Sequence, residues 1–124
     1  MTITEFLRAR LDEDEVIARM ADSAASIPGA GNGAPTSAAF LAQQQRHIVR
    51  WSPARVLVDV AAKRQIVAAY DKFGKIWDQA AGSGHDDQAE VSRNLFSGLM
   101  IAVRLLAGVY SDHPDYQRDW RPET

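Results

Sequence analysis

The feature that most constrains this sequence is its hydrophobic periodicity. Apolar residues recur every three to four positions in four stretches, and no stretch alternates with period two for long enough to predict a strand. Each stretch follows a residue type that commonly caps a helix N-terminus, among them Thr2, Ser52 and Asp86. The sequence therefore predicts an all-α fold, built as an antiparallel bundle of about four helices.

Caps and breakers place these helices along the chain. Thr2 and Glu5 have the spacing of a capping box, and Pro53 suits a first helical position. Residues 26–36, rich in glycine and proline, predict a mobile loop. The predicted helices run from about Ile3 to Ala25, Ala38 to Arg50, Pro53 to Gln79, and from a cap at Asp86 or Asp87 to about Tyr110.

The last of these helices is apolar over a wide arc. Phe96, Met100, Ile101 and Val103 lie outside its predicted inner stripe, which a small domain has little material to cover. A homodimer would bury this excess; the alternative is that other segments of the same chain cover it. The predicted inner stripe consists of Val91, Leu95, Leu99, Ala102, Leu106 and Val109.

Length and composition fit one globular domain over residues 1–124. Hydrophobic residues make up 46% and charged residues 24%, and a chain of 124 residues can bury a sizeable core. The absence of cysteine excludes disulfides and thiolate metal sites and suits a reducing compartment. The most apolar stretch, residues 95–110, is shorter than the roughly 20 residues of a spanning helix. We expect a cytoplasmic protein without a membrane partner or a cofactor.

The C-terminal segment carries the candidate interaction residues. Its aromatic content predicts an ordered strap across the bundle rather than a disordered tail, because aromatic side chains supply burial that offsets ordering entropy. Presenting an aromatic hook to a partner is the functional alternative. The residues concerned are Tyr110, Tyr116, Trp120 and Arg121.

Two histidine clusters are weak metal candidates. His85 stands next to Asp86 and Asp87, and His113 lies between two further aspartates. Imidazole beside carboxylates can bind zinc or another divalent ion, but the spacing matches no established ligand motif. The alternative is that the aspartates cap helices or turns and the histidines lie on the surface. We find no catalytic constellation and expect that the protein is not an enzyme.

Charges in the middle of the chain allow two further hypotheses. Residues 46–75 hold seven basic and two acidic residues, which would suit nucleic acid, although spreading around the helix favours neutralisation by acidic neighbours. Arg10 with Asp14, and Asp59 with Lys63, are spaced i, i+4 near apolar stripes. These four form structural ion pairs that either meet across a helix interface or extend into water.

Three stretches resemble a known family. It comprises small proteins of actinobacteria and their phages, described only as a domain of unknown function, and many of its members carry cysteines where this chain has residues 82–87. The resemblance implies a bacterial or infected host cell, and no activity. It rests on Thr2-Ile3-Thr4-Glu5-Phe6-Leu7, Ser52-Pro53-Ala54-Arg55-Val56-Leu57 and Tyr110-Ser111-Asp112-His113-Pro114-Asp115-Tyr116 with Trp120-Arg121-Pro122.

The leading functional hypothesis is a non-enzymatic protein–protein interaction module, acting as a phage accessory or host-directed factor on a host or phage protein. A small nucleic-acid-associated regulator using residues 46–75 is the alternative, and a metal-dependent protein using histidine and aspartate is the third hypothesis.

Overall fold

The computed structural model describes residues 1–25, 43, 46, 51–84 and 86–122. Every regular element within these residues is helical, so the all-α prediction is confirmed for them. The elements are α1 (Ile3–Ala25), α2 (Pro53–Ser83), α3 (Asp86–Gly108) and one 3-10 turn (Arg118–Trp120).

Two predictions fall largely outside the described residues. They are the mobile loop at 26–36 and the helix from Ala38 to Arg50, where only Gln43 and Arg46 are described and both are helical and exposed. The antiparallel four-helix arrangement is not confirmed and stays a prediction. No helix in the described part of the chain is long and apolar enough to cross a membrane.

Internal contacts divide the chain into two compact units. The first unit comprises residues 1–11 and 62–124, and the second unit comprises residues 12–61. The prediction of one domain over residues 1–124 stays a prediction. Each unit has buried apolar residues of its own: Ile3, Phe6, Leu7, Leu11, Val67, Ala80, Val103, Ala107 and Trp120 in the first, and Ala18 and Val60 in the second.

Helix α1 begins with the predicted capping box. The Thr2 hydroxyl accepts a hydrogen bond from the Glu5 N–H at 3.1 Å, and the Glu5 carboxylate accepts one from the Thr2 N–H at 2.8 Å. This pairing satisfies two donors that the first helical turn leaves without backbone partners. The bond from the Thr2 N–H also lowers the pKa of Glu5 from its ordinary value.

Helix α2 starts as predicted and ends later. The Ser52 hydroxyl accepts a hydrogen bond from the Arg55 N–H at 3.3 Å, with Pro53 as the first helical residue. The predicted end at Gln79 is wrong, because the helix continues to Ser83. Its terminator is Gly84, whose φ of +77° is a left-handed conformation that glycine adopts without a steric penalty.

Helix α3 departs from its prediction at both ends. Asp86 is its first helical residue rather than its cap, and the helix ends at Gly108, two residues before the predicted end. After Gly108 the backbone bonds shorten to an i, i+3 pattern, with Val109 N–H donating to the Leu106 carbonyl and Tyr110 N–H to the Ala107 carbonyl. This tighter winding closes the helix and turns the chain.

The predicted inner stripe of α3 is wrong. Val91, Leu95 and Val109 are exposed, whereas Ser92, Val103 and Ala107 are buried. Ser92, Val103 and Ala107 each follow a residue of the predicted stripe by one position. Since one position along a helix corresponds to about 100° of rotation, the buried face of α3 is rotated by about that angle from the predicted one. Val103, which was expected outside the inner stripe, is fully buried.

Candidate functional site

Phe6 is the centre of an aromatic cluster within the first unit. The ring centroids of His113 and Trp120 lie 5.7 Å and 5.0 Å from that of Phe6, and Trp120 is buried. Tyr110 and Tyr116 meet the same ring edge-on at 6.3 Å and 6.1 Å. Three of the four candidate interaction residues are therefore packed on α1.

The segment that carries these rings is held at further points. The Gln117 side-chain amide donates to the Met1 carbonyl at 2.9 Å, and the Arg121 N–H donates to the Arg118 carbonyl. Arg121, the fourth candidate, is exposed. Packing leaves the indole of Trp120 with little surface to offer a partner, and whether the segment acts as a strap stays a prediction.

The metal candidates are not brought together in the described residues, where no three histidine, aspartate or glutamate side chains lie close enough to hold an ion. His85 and the side chain of Asp86 lie outside the described residues, and Asp87 is exposed. His113 packs on Phe6, and its Nδ1 accepts a hydrogen bond from the Asp115 N–H at 3.1 Å, which fixes the turn.

The predicted structural ion pairs stay predictions. Arg10 is buried in the first unit, where its guanidinium carbon lies 5.4 Å from the Phe6 ring centroid, a cation–π contact. Lys63 and Asp14 are half-buried, and Asp59 is exposed.

The basic segment does not form a single stripe on α2. Arg55, Lys63, Arg64, Lys72 and Lys75 are spread around its circumference at 100° per residue. Arg50 lies outside the described residues. The most suggestive pair is in the second unit, where exposed Trp51 has the Arg55 guanidinium 5.9 Å from its ring centroid.

A polar cleft in the first unit was not found from the sequence. Its volume is about 400 Å³, and α1 and α2 supply most of its lining. Arg8 Nη2 lies 2.8 Å from Asp71 Oδ2, and the Thr4 hydroxyl donates to Asp71 Oδ1 at 3.0 Å. Both carboxylate oxygens of Asp71 are thereby engaged, which makes it a joint between helices rather than a free base.

Aromatic rings form one wall of this polar cleft. The Phe96 ring is stacked between Tyr70 and Trp77, with centroid distances of 4.8 Å and 5.7 Å. Burial raises the pKa of Tyr70 above its ordinary value, and the neighbouring Asp71 carboxylate raises it further. The shown role of the Tyr70 ring in this wall is packing, through its stacking on Phe96.

The outer face of α3 carries most of the exposed large hydrophobic side chains among the first unit's described residues. Each of five aliphatic side chains here is between 45% and 67% exposed: Val91, Leu95, Ile101 and Leu105 on the helix, and Val109 in the turn directly after it. Gly98 is exposed between them and Ala102 is half-buried. Exposed aliphatic side chains that lie together on one helix face make this face the candidate contact surface of the unit.

The spacing of these residues is regular. Steps of 4, 3, 4, 3 and 4 residues give the 3.5-residue repeat of a coiled-coil seam. The members of this outer seam are Val91, Leu95, Gly98, Ala102, Leu105 and Val109, with Ile101 on its flank. No charged residue belongs to it.

A model of a family of unknown function, DUF6221, matches residues 1–122. The chain belongs to this family. No curated protein and no solved structure matches the chain. The expectation of a domain-of-unknown-function family is confirmed, and it covers nearly the whole chain.

Because the DUF6221 description assigns no activity, function has to be argued from surfaces. Sequence periodicity places four of the six outer-seam residues in one stripe, but it predicts that this stripe faces inward. These four are Val91, Leu95, Ala102 and Val109. The polar cleft left no such signal, since Arg8 and Asp71 are 63 positions apart and no local pattern links them.

Proposed function

We propose that this DUF6221 chain is a non-enzymatic protein–protein interaction module that binds through the outer seam of α3. The observation that carries the proposal is a set of five aliphatic side chains that are each 45% to 67% exposed, four of them on the 23-residue helix α3 and the fifth, Val109, in the turn directly after it. Removing such surface from water contributes about 25 cal/mol per Å², which drives association when a complementary face is available. A regular helical seam suits a helix of the partner.

Interaction rather than catalysis is supported by the polar cleft. Asp71 is one of three acidic residues that line the cleft, and both of its carboxylate oxygens already accept bonds from Arg8 and Thr4. The raised pKa of Tyr70 disfavours its phenolate, the form that would act as a base. The cleft joins α1 to α2, and the apolar area available for binding lies on α3.

The proposal moves the contact away from the predicted hook residues. Trp120 is buried on Phe6, so it serves packing better than partner contact, and we assign residues 110–122 the role of a strap. We assign the protein to the cytoplasm of an actinobacterium or of a phage-infected host, as an accessory or host-directed factor. The resemblance and the absence of cysteine support this assignment.

The test compares Leu105→Glu with Val58→Glu. Both side chains are exposed, at 57% and 70%, so both variants are expected to fold, and only the first changes the outer seam. A protein partner, which includes a second copy of this chain, should bind to the immobilised wild type and to immobilised Val58→Glu. It should not bind to immobilised Leu105→Glu. Equal binding by all three forms would exclude the outer seam as the binding surface.

A second candidate function, nucleic-acid binding, is favoured by one observation. Trp51 is 61% exposed, and the Arg55 guanidinium lies over its ring, a combination that can stack on an unpaired base. Titration with DNA at low salt tests it: binding that weakens steeply as salt rises supports this function, and no binding removes it.

The metal hypothesis requires stoichiometric metal in protein purified without a histidine tag.

A further inference from the structure

We infer that the occupant of the outer seam is a second copy of this chain, paired antiparallel about a two-fold axis near residue 100. The inference rests on the proposed function, because it names the partner of the same surface. Its basis is the order of residue sizes along α3, together with the placement of charge at the ends of that helix.

The order of side-chain sizes in the outer seam is nearly the same in both directions, with valine and leucine at each end and the two smallest residues at the centre. From the N-terminal end it is valine, leucine, glycine, alanine, leucine and valine. An antiparallel pair centred near residue 100 places Val91 against Val109 of the second copy and Leu95 against its Leu105. The two smallest residues, Gly98 and Ala102, then oppose each other at the centre.

This pairing matches the geometry of a two-stranded coiled coil. Large side chains fill the ends of the seam, and small ones at the centre let the two helix backbones approach closely where they cross. Ile101, which is 62% exposed, lies beside the axis and meets Ile101 of the second copy. All five exposed aliphatic side chains of α3 are covered by one symmetric contact.

Charge favours the antiparallel direction over the parallel one. Exposed Asp87 and Glu90 precede the outer seam, and no basic residue of α3 lies before Arg93 to offset them. A parallel pair would place these acids beside their own copies, and like charges side by side weaken association. In the antiparallel pair the two acidic ends are separated by the seam, which extends about 25 Å along α3 from Val91 to Gly108.

The available area is sufficient for a specific contact. A pair that covered all of the exposed area of the five side chains, each 45% to 67% exposed, would bury on the order of 1,000 Å² in total, the lower limit for a specific interface. An interface of this size favours a dimer that forms at micromolar concentration rather than a permanent one.

The absence of cysteine allows a cross-linking test without background. Val91→Cys and Val109→Cys chains are prepared separately, then mixed and treated with a short bis-maleimide. The antiparallel pair predicts a covalent dimer from the mixture and none from either variant alone. Ser97→Cys, exposed and about 120° around the helix from the seam, is the control and stays uncross-linked. Cross-linking of Val91→Cys alone would instead show a parallel pair and overturn the antiparallel assignment.

Light scattering on the full chain completes the test. The wild type is expected to have twice the 13.7 kDa mass of one chain at micromolar concentration, and Leu105→Glu the mass of one chain. A monomeric wild type without cross-linking overturns the second-copy inference. If a different protein is then bound in a Leu105-dependent way, the proposed function stands alone; if nothing is bound through the seam, both fail.

Discussion

Gly74 determines whether the aromatic wall of the polar cleft can form. A Cβ at this position would lie 2.8 Å from Phe96 Cε2, closer than real Cβ atoms approach, and 3.2 Å from its Cδ2, a tight contact. The Phe96 ring cannot give way freely, since it is stacked on both Tyr70 and Trp77. Glycine inside a helix is otherwise unfavourable, so its presence here is explained by this close approach.

Gly74→Ala is therefore expected to destabilise the protein, although alanine is the better helix former. Displacing the stacked ring costs about 1–3 kcal/mol, and alanine returns up to about 1 kcal/mol of helix preference, leaving a net loss of about 1 kcal/mol. Urea denaturation followed by circular dichroism measures it. Gly82→Ala is the control, because nothing lies within 4 Å of its Cβ position, and it should be neutral or slightly stabilising.

A gain in stability for Gly74→Ala equal to that of Gly82→Ala would contradict this account, since it would show that Phe96 moves aside without loss.

Among the helical elements, local sequence signals predicted starts better than ends. The capping box at Thr2 and the Ser52–Pro53 start are set by side chains within three residues of the helix, so a single sequence reveals them. The end of α2 was placed four residues early because Gly82 and Ser83 resemble a turn. What ends the helix is the left-handed backbone at Gly84, which sequence does not distinguish from a helical glycine.

The error on α3 has a different physical origin. Periodicity shows that a helix has apolar faces, but it does not show which face packs inward when two exist. Val91 and Val109, at the ends of the predicted inner stripe, are exposed, whereas Val103, outside that stripe, is buried. Long-range partners such as Phe6 with Trp120, or Arg8 with Asp71, decide the packing and leave no local trace.

The C-terminal segment is expected to stabilise the first unit. Deleting residues 112–124 removes Trp120 and leaves the buried Phe6 ring exposed on that side. Loss of a buried tryptophan costs about 3–5 kcal/mol, and each kcal/mol lowers the melting temperature by several degrees in a chain of this size. Thermal unfolding followed by circular dichroism measures the shift.

Two point variants refine that deletion experiment. Trp120→Ala should reproduce most of the loss, whereas exposed Arg118→Ala, in the same 3-10 turn, should change the stability little. A melting temperature that the deletion leaves unchanged, together with lost partner binding, would support the hook instead of the strap.

For the whole molecule, the proposed pairing through α3 would link folding to association. It buries one face through Val103 and Ala107 and exposes the outer seam on another. A ligand that binds only the folded chain stabilises it by mass action, and a second copy is such a ligand. The stability of this protein is therefore expected to depend on its own concentration. If the seam instead bound an unrelated protein, the purified chain would show no such dependence.

The melting temperature of the purified wild type should rise with its own concentration. For a dimer of two 124-residue chains that unfolds to monomers, a tenfold increase is expected to raise it by about 2–3 °C. Scanning calorimetry from low to high micromolar concentration measures the trend. Leu105→Glu, whose substitution lies in the outer seam, should melt at one temperature throughout, and Val58→Glu should follow the wild type. If the melting temperature of the wild type did not change with concentration, the outer seam would be exposed in solution, where a different protein could bind it.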